Sequence, residues 1–451
     1  MPTARGNIKT SKQSCCQNYK IRYNYSNMIR RDSSSPITSI SLIVLVLVAV
    51  QFLTGCSVVQ SFMPTETPTV TPTPLPTATP LPPTPTPTPT EVPFYIDATV
   101  LPGDLQVPIL IYHRFITDDV GPTTSMKMQL TEYKKELQTL YDNDFTLISL
   151  YDWINGTWSV PVGRRPLILT IDDVWYADTL FIDEDGMPSD LSGLGILYDF
   201  YQEHPDFGYH AAVFAINGDK YYAEKQVGNA FYVSDNATWT TPSWRIKLGN
   251  TIGWAIDHGI EVYNHTLTHP VLTNLENEEI QHQFQENDYV VRDFLTEAGH
   301  EDLIPTLNNI IALPEGKWPE SQSGKNVILN YENPEGEPVI AVMEAYNLDA
   351  AQFTPSYFSE NFNPFAIVRI TASPYFVNYI VENKESIPAA QSCQLGPFNQ
   401  EQSADQAILQ ELVSNVVTSG TCPEGVYHVS DYIFVARDGE VTLHTAPGGS
   451  K

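Results

Sequence analysis

The chain has 451 residues, 42% of them hydrophobic, and carries 24 basic against 53 acidic side chains for a formal net charge of −29. That length has room for two or three domains. The acidic excess argues against nucleic acid or an anionic membrane surface as partner, and fits either a neutral or cationic ligand or simply a well-solvated surface.

In chain order, the first hundred residues look unlike a globular core. Arg30 and Arg31 precede the apolar run "ISLIVLVLVAVQFL" (40–53). The run falls short of the roughly 20 residues a helical span needs and has the length of a signal-peptide core. It leads into "LTGC" (53–56), a pattern of bacterial lipoprotein processing boxes, with Cys56 as the residue to be lipidated. Residues 1–55 read as a signal peptide, with Met28 as an alternative start that would set Cys15 and Cys16 aside. The expected location is extracytoplasmic, lipid-anchored to the cell membrane. Cleavage before Cys56 leaves 17 basic and 52 acidic residues, a net of −35. Residues 56–94 follow as a Pro/Thr-rich linker, "PTETPTVTPTPLPTATPLPPTPTPTPTEVP" at its heart. Such repetition packs no core and favours an extended, semi-stiff chain.

From residue 95 the pattern changes. Between 105 and 375 short apolar runs alternate with helical periodicity, the mark of repeated βα units and a parallel sheet. Strands are predicted at "QVPILIYH" (106–113), "FTLISLYDWI" (145–154, running into a short helix), "RPLILTIDD" (165–173), "YHAAVFAI" (209–216), "IEVYNH" (260–265) and "IPTLNNIIALPEG" (304–316). Helices are predicted at 129–143, 193–204, 244–259 and 277–299, the last two stopped by Gly259 and Gly299; "VIAVMEAYNLDAAQF" and "PFAIVRITA" supply the last elements. Acids and histidines fall at the C-terminal ends of the strands, the face where parallel barrels gather their catalytic groups. Residues 385–451 read as a small extension with a helix at 400–417, two strand-like runs, and Cys393 and Cys422, which an oxidising exterior favours as a disulfide. Aromatic residues crowd 218–244, compatible with sugar stacking or, more simply, with packing under a long loop.

Two polar clusters carry chemistry. Asp172 and Asp173 end the strand 165–173, and the alternation of a strand turns their side chains apart, so that one can bind a metal while the other accepts a proton. His265 and His269 are spaced as H-T-L-T-H after the strand 260–264. Each pattern alone fits a solvated turn; their order, Asp-Asp, then about ninety residues of βα units, then the histidine pair, is more specific. Hydrolysis of an amide needs an activated water and a holder for the oxyanion, and a divalent metal with an open position supplies both.

On these motifs the chain resembles the polysaccharide deacetylases, carbohydrate esterase family four, with their NodB-homology domain. Thr170-Ile171-Asp172-Asp173-Val174 is similar to the family's T-F-D-D-G, and His265 to His269 matches H-[S/T]-x-x-H, with Pro270 following. "VPILIYHRF", "ALPEGKWPE" (312–320) and "NPFAIVRI" resemble further segments of one subgroup. The resemblance spans about residues 105–375 and implies an α/β fold, a distorted (β/α)7-type barrel, over 95–384, with 385–451 as the extension. It implies a metal, zinc by preference with cobalt or nickel as alternatives, on Asp173, His265 and His269. Asp172 becomes the general base, and a backbone N–H near Pro314 the oxyanion donor. The substrate implied is an acetylated amino-sugar polymer of the envelope, losing its N-acetyl groups.

Departures bear on this. Val174 replaces a glycine and is expected to crowd the strand end or alter the turn. Ala312 stands where many members have the arginine that orients the base, and Glu315 adds negative charge beside the pocket. No residue matches the family's late histidine, the general acid; His428 and His444 are the distant candidates, while His113, at a strand end, is placed beside the pocket. The competing expectation is a non-catalytic glycan-binding or scaffold lipoprotein on a degenerate deacetylase fold.

Overall fold

The computed structural model describes residues 94–218, 243–345, 353–398 and 405–445. Cys56, the linker and nearly all of the aromatic-rich segment 218–244 therefore lie outside the described residues. Those described fall within one of two compact units, Thr88–Lys451. Among them no helix is long and apolar enough to cross a membrane.

Seven parallel strands close into a barrel. In chain order the elements are β1 (Phe94–Leu101), β2 (Ile109–Tyr112), α1 (Leu130–Asp142), β3 (Phe145–Leu147), α2 (Leu150–Asn155), β4 (Arg165–Val174), α3 (Gly193–Glu203) and β5 (Ala211–Ala215). Then come α4 (Ser243–Asp257), β6 (Ile260–Asn264), α5 (Asn277–Ala298), β7 (Ile310–Ala312), α6 (Gln322–Leu329), β8 (Ala341–Ala345), β9 (Ile367–Thr371) and α7 (Pro374–Glu382). The ring runs β2-β9-β8-β7-β6-β5-β4 and closes where Ile109 to Tyr112 pair with Ile168 to Ile171. β3 stands outside it, on the first residues of β4. This is the expected (β/α)7 barrel.

Local chemistry accounts for the elements. β4 is buried along nearly its whole length, as strands covered on both faces must be, and so reads as a continuous apolar run. Side-chain oxygens of Ser149, Ser192 and Ser373 cap the N-termini of α2, α3 and α7, taking up backbone N–H groups that a helix start leaves without partners. Gly299 ends α5 at φ 83°, its N–H returning to Leu295 and Thr296, a left-handed cap that an L side chain makes costly.

The remaining strands form a second sheet: β10 (Gln391–Phe398), β11 (Gly425–Val429), β12 (Tyr432–Arg437) and β13 (Glu440–His444), with α8 (Gln406–Thr418) packed on it. Its order is β10-β1-β11-β12-β13. β1, assigned by the sequence to the barrel region, is thus a middle strand of the C-terminal sheet, Ala98 opposite Cys393 and Thr99 opposite His428. Antiparallel pairing between residues some three hundred apart leaves no local trace in the sequence. Cys393 and Cys422 are bonded, with Cα atoms 6.0 Å apart. The sheet docks at the N-terminal end of the barrel. His444 Nε2 meets the carbonyl of Asn155 at 3.0 Å, at the end of α2. The N-terminus of α2 is in turn held by Glu261 near the start of β6, whose Oε2 accepts from Tyr151 N at 3.2 Å.

Candidate functional site

At the C-terminal end of the barrel, β4 does not finish as a regular strand. Its register with β5 shifts between Ile171 and Val174, and Asp173 takes φ 60°. Divergence of the two carboxylates, expected from strand alternation, is therefore corrected: Asp172 Oδ2 and Asp173 Oδ1 lie 3.7 and 3.6 Å from the same atom, His265 Nε2. A bulge adds a residue to one strand and re-aims its side chain. Val174 does not crowd the turn. It is fully buried in the main core and pairs with Ala215.

The histidine loop is built from polar side chains that satisfy its own backbone. Asn264 Oδ1 accepts from Thr266 N at 2.8 Å, and Thr266 Oγ1 accepts from His269 N at 3.1 Å. Thr266 and His269 both sit at positive φ, 69° and 55°. The two imidazoles converge, with centroids 4.8 Å apart, through this turn and not through helical spacing. Left-handed backbone at non-glycine residues is sparsely populated and clusters at functional sites. Here it falls on Asp173, Thr266, His269 and Glu315.

His265 Nδ1 donates to the Ala312 carbonyl at 2.8 Å, which leaves the Nε2 lone pair facing Asp173. Burial, helped by His269, holds this imidazole below its ordinary pKa against the pull of the two carboxylates. It is thus kept neutral, as a ligand must be. His269 Nε2 is 3.5 Å from Asp173 Oδ1. Among the described residues Asp173, His265 and His269 form the one group of this kind able to hold a metal ion, their donor atoms within 4.8 Å of one another. Asp173 Oδ1 is buried and has no hydrogen-bond partner, a costly state for a carboxylate. Nitrogen and oxygen ligands at 2.0–2.2 Å from a tetrahedral ion stand roughly 3.4 Å apart, close to the separations found. The donor set fits a divalent cation.

Arg369, on β9, supplies what Ala312 lacks. Its Nη1 and Nη2 donate to Asp172 Oδ1 and Oδ2 at 2.6 and 2.8 Å, and Nη1 also reaches Thr170 Oγ1 at 3.2 Å. The guanidinium is wholly buried and lies over the Phe214 ring. Burial pushes the Asp172 carboxyl up, but Arg369, then His265, outweigh it and hold the pKa at about 2. The sequence carried a signal for this residue, a lone arginine inside the apolar strand "FAIVRIT", without saying which acid it meets 197 positions away.

The other expected residues fall as follows. His113 directly follows β2 and is close enough to Asp172 to help lower its pKa. Pro314 is buried after β7, beside the carbonyl that holds His265. Glu315 is exposed, and its charge is met by Lys317 Nζ at 2.6 Å, which pulls its carboxyl below the usual range. His428 and His444, the distant candidates for an acid, lie in the C-terminal sheet at the opposite end of the barrel. They are not brought to this site.

Residues 208–320, from the start of β5 through the histidine loop to the Pro314 turn, match the family model described as polysaccharide deacetylase. Over that segment the chain is similar to the polysaccharide deacetylases. Asp172 and Asp173 lie upstream of the matched segment, on the strand hydrogen-bonded to β5. No curated protein matches the sequence. Solved structures similar to the chain include the deacetylase PplD of Streptococcus pyogenes in complex with acetate, at 13% identity and TM-score 0.39, covering 63% of this chain and 99% of that one. A polysaccharide deacetylase of Bacillus cereus is 15% identical, with TM-score 0.39 and coverage of 63% and 70%. IcaB of Ammonifex degensii is 15% identical, with TM-score 0.37 and coverage of 63% and 98%.

Proposed function

We propose that this chain is a metal-dependent hydrolase that removes N-acetyl groups from an amino-sugar polysaccharide of the cell envelope, held outside the cell by lipid on Cys56. The observation that carries the reading is the convergence of Asp173 Oδ1, His265 Nε2 and His269 Nε2 beside an Asp172 that is ionised and gripped by Arg369. A divalent ion on these three residues, zinc by preference and cobalt or nickel otherwise, would acidify a water and polarise the acetamide carbonyl. Asp172 accepts the proton of the attacking water; its two-pronged bond to Arg369 fixes the carboxylate plane toward His265. The backbone N–H next to Pro314 donates to the carbonyl oxygen as negative charge grows there. The left-handed turn at Glu315 keeps this segment against His265 through the Ala312 carbonyl.

The reading of a degenerate, non-catalytic glycan binder rests on Val174, Ala312, Glu315 and the lack of a match to the family's late histidine. Val174 is accommodated by the core, Arg369 stands in for the residue Ala312 replaces, and Lys317 offsets Glu315, so the hydrolase is the better account. The test is bound metal per full-length chain, purified without a chelating tag, with acetate release from acetylated oligosaccharides measured alongside. Stoichiometric metal and acetate release, both lost in the Asp173→Ala, His265→Ala double variant, support the proposal. A parent that takes up no metal and releases no acetate overturns it.

A further inference from the structure

Two histidines four positions apart in a loop do not face one point by default. Thr266 and His269 hold left-handed backbone, at φ 69° and 55°, and at non-glycine residues such conformations persist only where the surroundings over-determine them. Each of the five backbone N–H groups from His265 to His269 has an acceptor. Asn264 Oδ1 takes that of Thr266, and Thr266 Oγ1 that of His269. The Ala215 carbonyl takes that of His265 at 3.1 Å. The other two go to one residue of α5: the Gln283 carbonyl accepts from Leu267 N at 2.9 Å, and Gln283 Oε1 accepts from Thr268 N at 3.0 Å. Gly218 N, just past β5, donates to the Leu267 carbonyl at 2.6 Å, so the loop is clamped from both sides.

One helical turn beyond Gln283, Asn287 ties the remaining supports together. It is 2% exposed. Its Nδ2 donates to the Ala215 carbonyl at 2.8 Å and to Asn264 Oδ1 at 3.0 Å, the same two acceptors that hold the N–H groups of His265 and Thr266. Its Oδ1 accepts from the backbone N and the Nδ2 of Asn217, both at 3.0 Å. Asn264 Nδ2 in turn donates to the Phe284 carbonyl at 2.9 Å, again on α5. An amide that donates twice and accepts twice has its full bonding capacity in use, which fixes its orientation. A buried network satisfied in this way is stiff.

On the reading of Asp173, His265 and His269 as a metal centre, we propose that α5 is its positioning element and that Asn287 sets the affinity for the ion. Gln283 and Asn287 hold the histidine loop in its left-handed form ahead of the ion, so that binding does not have to order the loop. Without Asn287, the Ala215 carbonyl and the Asn264 amide each lose a partner and the turn relaxes. Part of the binding free energy then goes into re-forming it. The loss falls on affinity; once the ion is bound the ligands stand where they stood, and turnover returns.

The experiment measures zinc affinity on full-length protein, stripped with a chelator and titrated in competition with a zinc-binding dye. The parent is compared with Asn287→Leu, which removes all four bonds, and Asn287→Asp, which keeps the acceptor for Asn217 and removes both donors. Thr146→Val is the control for lost buried hydrogen bonds: Thr146 is 3% exposed on β3, outside the ring, and its Oγ1 donates to the Asp206 and Phe207 carbonyls. Denaturant unfolding is read on every protein. The zinc Kd is expected to rise about 10–100-fold in both Asn287 variants, the scale for residues that hold metal ligands in place. Thr146→Val is expected to unfold earlier with the parent's Kd, and acetate release by the Asn287 variants to return to the parent's rate at saturating zinc. If Asn287→Leu does not fold, Asn287→Asp decides. An unchanged Kd in the Asn287 variants, an equal rise in Thr146→Val, or acetate release that stays low at saturating zinc overturns the role of Asn287 while leaving a metal-binding parent intact. A parent that takes up no zinc overturns it together with the metal-centre reading.

Discussion

The C-terminal end of the barrel gathers Asp172, Asp173, His265 and His269; the N-terminal end gathers Glu261, Tyr151 and Tyr263, with His428 and His444 in the sheet docked nearby. At the N-terminal end Glu261 and His444 find partners within the protein, while His428 Nε2 is buried without one. Glu261 accepts from Tyr151 N and from the Tyr263 hydroxyl, at 3.2 and 3.0 Å, and His444 Nε2 reaches the Asn155 carbonyl. At the C-terminal end the donors face one another across a gap, and Asp173 Oδ1 has no protein hydrogen to accept. Among the described residues, left-handed non-glycine backbone falls there on Asp173, Thr266, His269 and Glu315. The same residue types thus serve as mortar at one end and, at the other, form a group able to hold a metal ion. For Glu261 and His444 the protein itself completes the bonding, and for Asp173 Oδ1 it does not.

The difference can be broken most sharply at the ligands. Asp173→Asn or His265→Ala is expected to abolish metal uptake and to lower acetate release by ~10³ or more, the scale of removing a member of an interdependent set; metal analysis and a coupled acetate assay check both. Arg369→Met comes next. It leaves Asp172 buried without its partner and is expected to cost about 3–5 kcal/mol in denaturant unfolding. The parent also has a signature in acid. Asp172 has a folded pKa near 2 against an ordinary 3.8, so its stabilising share is present above about pH 4 and is lost as pH falls through 2. In Arg369→Met that acid-side loss should vanish from the unfolding profile.

At the opposite end the sign reverses. Burial raises Glu261 to about 7, so the folded protein holds its proton more tightly than the unfolded chain does. The resulting stability is full below about pH 4.5 and is lost as pH rises through 7. Glu261→Gln should remove this slope and stabilise the protein by about 1–3 kcal/mol at pH 8, read from chemical denaturation at pH 5 and 8, with acetate release unchanged. The smallest effect is expected from His444→Gln. Its bond to Asn155 is worth about 1 kcal/mol, and acetate release should equal the parent's; a large loss of activity would mean that this end of the barrel takes part in catalysis.

Much of the fold was legible because it is local. Alternating apolar runs and helical periodicity announce βα units, Gly259 and Gly299 mark stops, and a buried parallel strand such as β4 writes itself as an unbroken apolar run. The site motifs were legible for the same reason: T-I-D-D and H-T-L-T-H each occupy one strand end. The geometry that makes them a set was less so. Strand alternation predicted that Asp172 and Asp173 diverge, and the bulge with a left-handed Asp173 makes them converge. Arg369 reads in sequence as part of a closing strand, because its partner Asp172 lies across the barrel.

Sequence by itself therefore determined the barrel class, the chain order of its units and the identity of the facing acids and histidines, since these follow from short-range periodicity and residue chemistry. Tertiary structure alone decided that β1 belongs to the C-terminal sheet, that His428 and His444 are remote from the site, and that Arg369 grips Asp172. Each of these is a contact between segments far apart in the chain, fixed by closure of the barrel and the packing of its ends, and no local pattern encodes such a meeting.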